Sequence, residues 1–250
     1  MKQLSADIYQ FDLRQANVFL IKGENGLTLI DTAVVGIRDK LETQLAKYGF
    51  HLEDVKRILV THAHIDHVGG LREIQEATGA EVWAHRLEAP VVRGEEPVTL
   101  PNPADVGLAD SLFGRFISLF VGSKQPPAPV HRELDDGETL DEVLPGLRVI
   151  HLPGHSPGQI GFWLEPERLL IGGDVMMHLT PWLTRPLGAY TPDTLEAEQS
   201  ILKVANLDVH TLGVGHGSAL VGNAGAAIKR LAEKIHKTAR LGLTAQQLEK

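Results

Sequence analysis

A short histidine-rich stretch constrains this chain more than any other feature of its sequence. Residues 61–70 read Thr-His-Ala-His-Ile-Asp-His-Val-Gly-Gly and follow an apolar run. Imidazole and carboxylate both bind Zn²⁺, and a catalytic zinc site leaves a position open for water. Four candidate ligands are too many for one open tetrahedral ion, and neither helix capping nor packing requires such a cluster. We therefore expect two metal ions, with His62 and His64 facing one. Asp66 and His67 would face the other.

Three later residues are further candidate ligands, because each lies where an apolar segment meets turn residues. His155 stands between two Pro-Gly pairs, which favour turns on both of its sides. Asp174 follows an apolar run and two glycines, and His216 follows a similar run and one glycine. Ligands at strand ends are held more rigidly than ligands on free loops, and glycine lets the backbone approach a metal closely.

These motifs resemble the signature of the metallo-β-lactamase fold superfamily, in the family's order from residue 29 to residue 217. Leu29-Ile30-Asp31-Thr32 is similar to the early strand of that family, which ends in a structural Asp. The resemblance implies that His62, His64 and His155 hold metal one, that Asp66, His67 and His216 hold metal two, and that Asp174 bridges them. It also implies an α/β fold, an αββα four-layer sandwich of two mixed β-sheets flanked by helices.

Strand and helix patterns alternate along the chain, which favours a single domain spanning residues 1–250. We expect strands at 8–11, 17–22, 27–31, 57–60, 81–84, 148–152, 159–164, 168–171 and 208–214. We expect helices at 37–48, 69–77, 191–205 and about 224–239.

Residues 86–135 do not follow the pattern of the metal-binding motifs, and we interpret them as an insert. Residues 109–120 within it have helical spacing, with Phe113, Phe116 and Phe120 on one face. One hypothesis is a lid that lines an apolar substrate pocket and brings these side chains to the substrate. The other is an ordinary helix packed on the core or on a second subunit, so a homodimer is possible.

Composition favours a soluble enzyme and narrows the choice of partners. The formal net charge is -8, with 32 acidic and 24 basic residues, and no basic run is typical of nucleic-acid binding. The absence of cysteine excludes disulfides, thiolate ligands and a cysteine nucleophile. Neither a signal peptide nor an apolar run of membrane-spanning length is visible. We therefore expect a cytoplasmic protein with a small-molecule substrate, and neither nucleic acid nor membrane as partner.

The metal motifs and the resemblance together predict a dinuclear hydrolase with two Zn²⁺ per chain, iron or manganese being possible instead. A metal-bridging hydroxide would cleave an ester, lactone or thioester bond of a partly apolar small molecule. By the resemblance, Asp66 is both a ligand and the catalytic residue that orients this hydroxide.

Two residues near the motifs are candidate substrate contacts. His178 lies four positions after Asp174, and Tyr190 is the only tyrosine within twenty residues of Asp174. Lactonases of the superfamily have a tyrosine soon after the bridging Asp, so its absence here weakens a lactonase assignment. The true β-lactamases usually lack an Asp at the position of Asp174.

Other functions of the same fold stay open at this point. Persulfide dioxygenases keep a similar motif set and use one iron, so a mononuclear iron oxidoreductase is one alternative. A phosphodiesterase is another, and a binding module that has lost the reaction is a third. The complete set of ligands disfavours the binding module.

Overall fold

The structure is a computed structural model that describes residues 1–13, 15–102, 106 and 126–248, with side chains to residue 238. The helix expected at 109–120, with Phe113, Phe116 and Phe120, lies outside the described residues. Whether residues 86–135 form a lid or a dimer interface therefore stays a prediction.

Among the residues that the structure describes, the larger sheet contains seven strands, in the order in which they occur along the chain. They are β1 (Lys2–Gln3), β2 (Ile8–Asp12), β3 (Asn17–Gly23), β4 (Gly26–Ile30), β5 (Val55–Leu59), β6 (Glu81–His85) and β7 (Arg132–Leu134). The first four strands pair antiparallel, and β4 to β7 pair parallel. The parallel half sends the carboxyl ends of β4, β5 and β6 to the same edge of the sheet.

The smaller sheet has four strands in the order β11-β10-β9-β8. They are β8 (Leu147–His151), β9 (Ile160–Leu164), β10 (Leu169–Ile171) and β11 (Thr211–Gly213). Strands β10 and β11 are parallel, whereas β8, β9 and β10 form an antiparallel meander.

Five α-helices lie between these strands along the described part of the chain, and a sixth follows β11. They are α1 (Arg38–Ala46), α2 (Ile65–Val68), α3 (Leu71–Thr78), α4 (Ala89–Val92), α5 (Thr194–Ala205) and α6 (Ala224–Leu248). None of the helices that the structure describes combines the length and the apolar character that a bilayer span requires.

Three apolar clusters show how the layers stack. In β3, Val18 and Leu20 pack with side chains of α1 and α3, while Phe19 and Ile21 point to the other face, towards β8, β9 and β10. This alternation follows from the two-residue period of a strand. A third cluster joins the outer face of the smaller sheet to α5 and α6. The order of layers is helix, sheet, sheet, helix, so the expected αββα sandwich is confirmed.

The sequence patterns place most elements correctly and misplace some of their ends. The helix expected at 69–77 is α3, which begins two residues later, at Leu71. The short helix α2 before it was not expected, and Gly69 and Gly70 separate the two helices. A side chain at Gly70 would put its Cβ 2.5 Å from Ile37 Cγ2 and 2.6 Å from the Thr32 carbonyl oxygen. Close packing of this turn therefore requires glycine there. Strand β7 was not expected, and it lies in the segment interpreted as an insert, with Leu134 fully buried.

Helix α5 begins at Thr194 because Asp193 caps it: Asp193 Oδ1 accepts a hydrogen bond from the Glu196 amide at 2.8 Å. We predict that Asp193→Ala lowers the free energy of unfolding by about 1 kcal/mol, since one backbone donor of the first turn loses its partner. Asp193→Asn, which keeps an acceptor oxygen, should retain most of the stability. Urea denaturation of the two variants tests this, and an equal loss in both would contradict it.

Candidate metal centre

The seven candidate ligands of the sequence analysis come together at one end of the two sheets. Their side-chain nitrogen and oxygen atoms form three groups, each with all members within 4.8 Å of one another. The groups are His62, His64 and His155; His62, His67 and Asp174; and Asp66, His67 and His216. Because neighbouring groups share His62 or His67, the three form one continuous cluster.

The distances between the ligand atoms are those that metal binding requires. His62 Nε2 lies 3.1 Å from His64 Nδ1, and His155 Nε2 lies 3.4 Å from Asp174 Oδ2. His216 Nε2 lies 3.2 Å from this same Asp174 oxygen. Two nitrogen or oxygen ligands of one tetrahedral Zn²⁺ are about 3.4 Å apart, given metal–ligand distances of about 2.1 Å. The donor atoms therefore fit metal ions without large rearrangement.

Unpartnered buried atoms support the same conclusion. Within the described residues, His64 Nε2, His155 Nε2 and Asp174 Oδ1 are buried and have no hydrogen-bond partner. Leaving a buried polar atom unsatisfied is costly, so such atoms need an explanation. For His155 and Asp174, a bound cation supplies it.

The ligands lie where the strands end. His62 and His64 follow β5, and Asp66 and His67 belong to α2, the short helix after it. The other three come from the segments that follow β8, β10 and β11; they are His155, Asp174 and His216. Ligands fixed by strand ends move little, which suits a site that has to hold a metal geometry.

Asp31 orients two of the histidines from behind. Its carboxylate accepts hydrogen bonds from the Thr61 amide at 2.8 Å and from the Thr61 hydroxyl at 2.7 Å. It lies 2.8 Å from His67 Nδ1, which donates to it and so leaves Nε2 for a metal. Because the Thr61 hydroxyl proton is directed to Asp31, Thr61 Oγ1 accepts from His62 Nδ1 at 3.1 Å. His62 Nε2 is then unprotonated, and its lone pair is directed to the cluster.

Thr191 fixes His155 in the same way. Its hydroxyl donates to the Leu187 carbonyl oxygen at 2.8 Å, so it accepts from His155 Nδ1 at 3.0 Å. His155 Nε2 is left as the metal-binding nitrogen.

The His216 loop is anchored to the larger sheet by two buried amides. Asn17 Nδ2 donates to the carbonyl oxygens of Val214 and Gly217, both at 2.7 Å. Gln10 Nε2 donates to that Gly217 oxygen as well, at 2.9 Å. A Cβ at Gly215 would lie 2.0 Å from Asp174 Oδ1, so the loop can pass this close to the cluster only with glycine there.

The electrostatics divide the histidines into two sets. Burial lowers the pKa of His62 and of His64, and it lowers that of His155 to about 3, so these rings are neutral at pH 7. Burial also disfavours the charged form of His67, but Asp174 and Asp31 raise its pKa to about 9. The pKa of His216 is raised well above its usual value by Asp174 and Asp66 against the effect of burial.

The two carboxylates within the cluster stay ionised. Burial alone would raise their pKa values, but His67 and His216 hold the pKa of Asp66 below its usual range. The same histidines keep the pKa of Asp174 low. The site is thus preorganised for positive charge, which protons supply in the absence of metal.

Glu88 is a functional residue that the sequence analysis missed. Its side chain is 3% exposed, and its Oε2 accepts from the Ala63 amide at 2.7 Å. Its Oε1 accepts from the Ser156 hydroxyl at 2.8 Å and from the Gly158 amide at 2.7 Å. One carboxylate therefore joins the loop that carries His62 and His64 to the loop that carries His155. No spacing motif marks it, because it contacts both loops only in the folded chain.

The candidate substrate residues differ in their positions. Tyr190 lies beside the cluster, with its ring centroid 6.4 Å from that of His64. Burial and the charge of Asp66 raise the pKa of Tyr190, so its phenol is protonated at neutral pH. His178 belongs to none of the three ligand groups; its amide donates to the His216 carbonyl oxygen at 3.0 Å, behind the cluster.

A small cavity of about 160 Å³ opens next to His64. Its apolar lining includes Leu87, Val91 and Val98, and Glu88 also lines it. The cluster itself is most accessible at Asp66 and His216, whose side chains are 22% and 15% exposed.

Comparison with known proteins identifies the family. A model of the metallo-β-lactamase superfamily matches residues 11–216. This chain belongs to that superfamily. The resemblance of its motifs to the superfamily is thereby confirmed, and membership supports a metal-dependent hydrolase.

Two curated relatives resemble the chain over most of its length. The probable metallo-hydrolase YflN of Bacillus subtilis is 30% identical over 252 residues, which cover 91% of this chain and 90% of the relative. The acyl-coenzyme A thioesterase MBLAC2 of Bos taurus is 31% identical over 183 residues, which cover 68% of this chain and 62% of the relative.

Solved structures of similar proteins agree with this assignment. The metallo-β-lactamase family protein TTHA1429 of Thermus thermophilus is 28% identical, with a TM-score of 0.68 over 99% of this chain and 85% of that one. TTHA1623, solved in a di-iron-bound form, is 27% identical, with a TM-score of 0.64 over 87% of this chain and 96% of that one.

Glu88 offers a direct test of how the two loops are held together. We predict that Glu88→Gln weakens binding of the first metal equivalent by about tenfold or more, because the one remaining oxygen can accept from only one loop and the new NH₂ group faces a donor of the other. Competition with a chromophoric chelator measures this affinity. Glu96→Gln is the matched control, since Glu96 lines the same cavity but is exposed and should leave the affinity unchanged. Equal affinity in wild type and Glu88→Gln would contradict the prediction.

Proposed function

We propose that the protein is a dinuclear zinc hydrolase that cleaves acyl thioesters, and related esters or lactones, of partly apolar small molecules. The observation that carries the proposal is the position of Asp174 Oδ2, which lies 3.4 Å from His155 Nε2 and 3.2 Å from His216 Nε2. A carboxylate between two sets of nitrogen ligands suits a pair of cations that share it.

The atom groups and the resemblance to the family support a division of the ligands between two ions. In the proposal, one ion is held by His62, His64 and His155, the other by Asp66, His67 and His216, with Asp174 shared by both. The histidines proposed for the first ion are neutral, whereas those proposed for the second ion lie beside carboxylates. The ligands of the second ion therefore supply more of the negative charge that offsets the cations. Nitrogen and oxygen donors without thiolates suit zinc, and iron or manganese as well.

When bound, the cations supply Lewis acidity and bring the pKa of a coordinated water to about 7. Asp66 is ionised and solvent-accessible, so its carboxylate can accept a hydrogen bond from an attacking water and orient it. We assign to Tyr190 the role of donating to an oxygen of the substrate, since its phenol is protonated and its ring lies 6.4 Å from that of His64.

The acyl side of the substrate is proposed from the cavity beside His64. Leu87, Val91 and Val98 give it an apolar wall that suits a short acyl chain. The relative MBLAC2 is a thioesterase by name, which favours thioesters among the three bond types.

Substrate turnover tests the proposal. Zinc-loaded protein should hydrolyse aliphatic acyl thioesters faster than lactones, aryl esters or phosphodiesters. Removal of the metal by a chelator should abolish this activity, and added zinc should restore it. We expect Asp66→Asn to lower kcat by about 100-fold or more, since water orientation is lost. Glu76→Gln, on the exposed surface of α3, is the control that should keep full activity.

Three results would overturn the proposal. The first is undiminished hydrolysis by the chelated protein, and the second is full kcat in a metal-loaded Asp66→Asn variant. The third is oxygen consumption with a persulfide by the iron-loaded protein, without hydrolysis of any substrate in the panel.

A further inference from the structure

A second cavity lies away from the metal cluster, between α6, the loop after β11 and the segment around residues 178–183. Its volume is about 500 Å³, within the range of small-molecule sites. Trp182, Leu183 and Leu231 contribute apolar surface, and Lys2, Arg230 and Lys234 bring cationic groups to the rim. None of the seven candidate metal ligands lines this cavity, although the candidate substrate residue His178 does.

The charge of the cavity is opposite to that of the protein. The chain has 32 acidic and 24 basic residues, yet no Asp or Glu is among the described residues that line the cavity. Within the described residues, none of Lys2, Arg230 and Lys234 has a carboxylate within 4.0 Å. Cations gathered in a concave site without counter-charges attract an anion.

The cations are arranged so that they can act together. Arg230 and Lys234 are one helical turn apart on α6, so their side chains emerge from the same face. The Lys2 ammonium donates to the carbonyl oxygen of Ala219, another lining residue, at 2.5 Å. An ammonium has three protons, so it retains donors for a ligand. A guanidinium and two ammonium groups suit phosphate oxygens.

Trp182 adds a planar surface to this site. Its side chain is 58% exposed, which is unusual for a large aromatic residue beside an apolar cavity. The Arg230 guanidinium lies 5.7 Å from the ring centroid, so the cation and the ring are neighbours. A flat ring of a ligand can stack on this indole while an attached anion meets Arg230.

We propose that this cavity binds a small organic phosphate that carries a planar ring, a ligand of the nucleotide class. The phosphate lies between Lys2, Arg230 and Lys234, and the ring covers Trp182. The site is distinct from the metal cluster, and the proposal does not depend on which bond the metal centre cleaves.

The experiment is isothermal titration calorimetry of the metal-loaded protein with adenosine monophosphate, ribose 5-phosphate and inorganic phosphate as probes. We expect adenosine monophosphate to bind best, and Arg230→Ala combined with Lys234→Ala to raise its Kd by about tenfold or more. Trp182→Ala should remove the preference for adenosine monophosphate over ribose 5-phosphate. Lys229→Ala combined with Lys237→Ala removes two exposed charges from the same helix outside the cavity, and it should leave the Kd unchanged.

Three results of this titration would contradict the proposed nucleotide site or its contact with Trp182. Absence of adenosine monophosphate binding to the wild type would overturn the proposal. So would an unchanged Kd in the Arg230→Ala, Lys234→Ala variant, since the nucleotide would then bind elsewhere, for example at the metals. Equal affinity for ribose 5-phosphate and adenosine monophosphate would exclude the ring contact with Trp182.

Discussion

The buried carboxylate of Asp31 is the contact on which the metal cluster depends. It accepts hydrogen bonds from the Thr61 amide, the Thr61 hydroxyl and His67 Nδ1, all at distances of 2.8 Å or less. Through the Thr61 hydroxyl it also determines which nitrogen of His62 carries the proton. Asp31 adopts a left-handed backbone conformation, with φ at 61°, which is uncommon outside glycine. The carboxylate thus sets the proton positions on two of the ligands and ties the ends of β4 and β5 to helix α2.

The two sheets each contribute one half of the metal-ligand cluster. The larger sheet presents the histidine-rich loop, and the smaller sheet presents Asp174 and His216 from the ends of β10 and β11. At the site itself, buried polar contacts add to the apolar packing between the sheets: Glu88 joins the loops that carry His62, His64 and His155, and Asn17 donates to the His216 loop. Because these contacts are buried and charged or polar, they combine strength with direction.

The sequence predicted the part of the site whose residues lie close together in the chain. The spacing His-x-His-x-Asp-His is local, so it can be recognised without the fold, and the same holds for the turns around His155 and Asp174. Glu88, Gln10 and Asn17 contact residues 25 to 209 positions away, and such pairings leave no spacing pattern. A polar side chain within an apolar strand, as at Gln10, is a signal that could have been used. Closeness in sequence is not sufficient to identify a ligand: His178 follows Asp174 by four positions but lies outside the ligand groups. Its contact with substrate stays a prediction.

The most direct test of the account is a crystal structure of the zinc-loaded protein with anomalous data at the zinc edge. We expect two zinc ions per chain, about 3.5–4 Å apart, with the Asp174 carboxylate bound to both and His155 and His216 on opposite ions. One ion only, or two ions with Asp174 bound to neither, would contradict it.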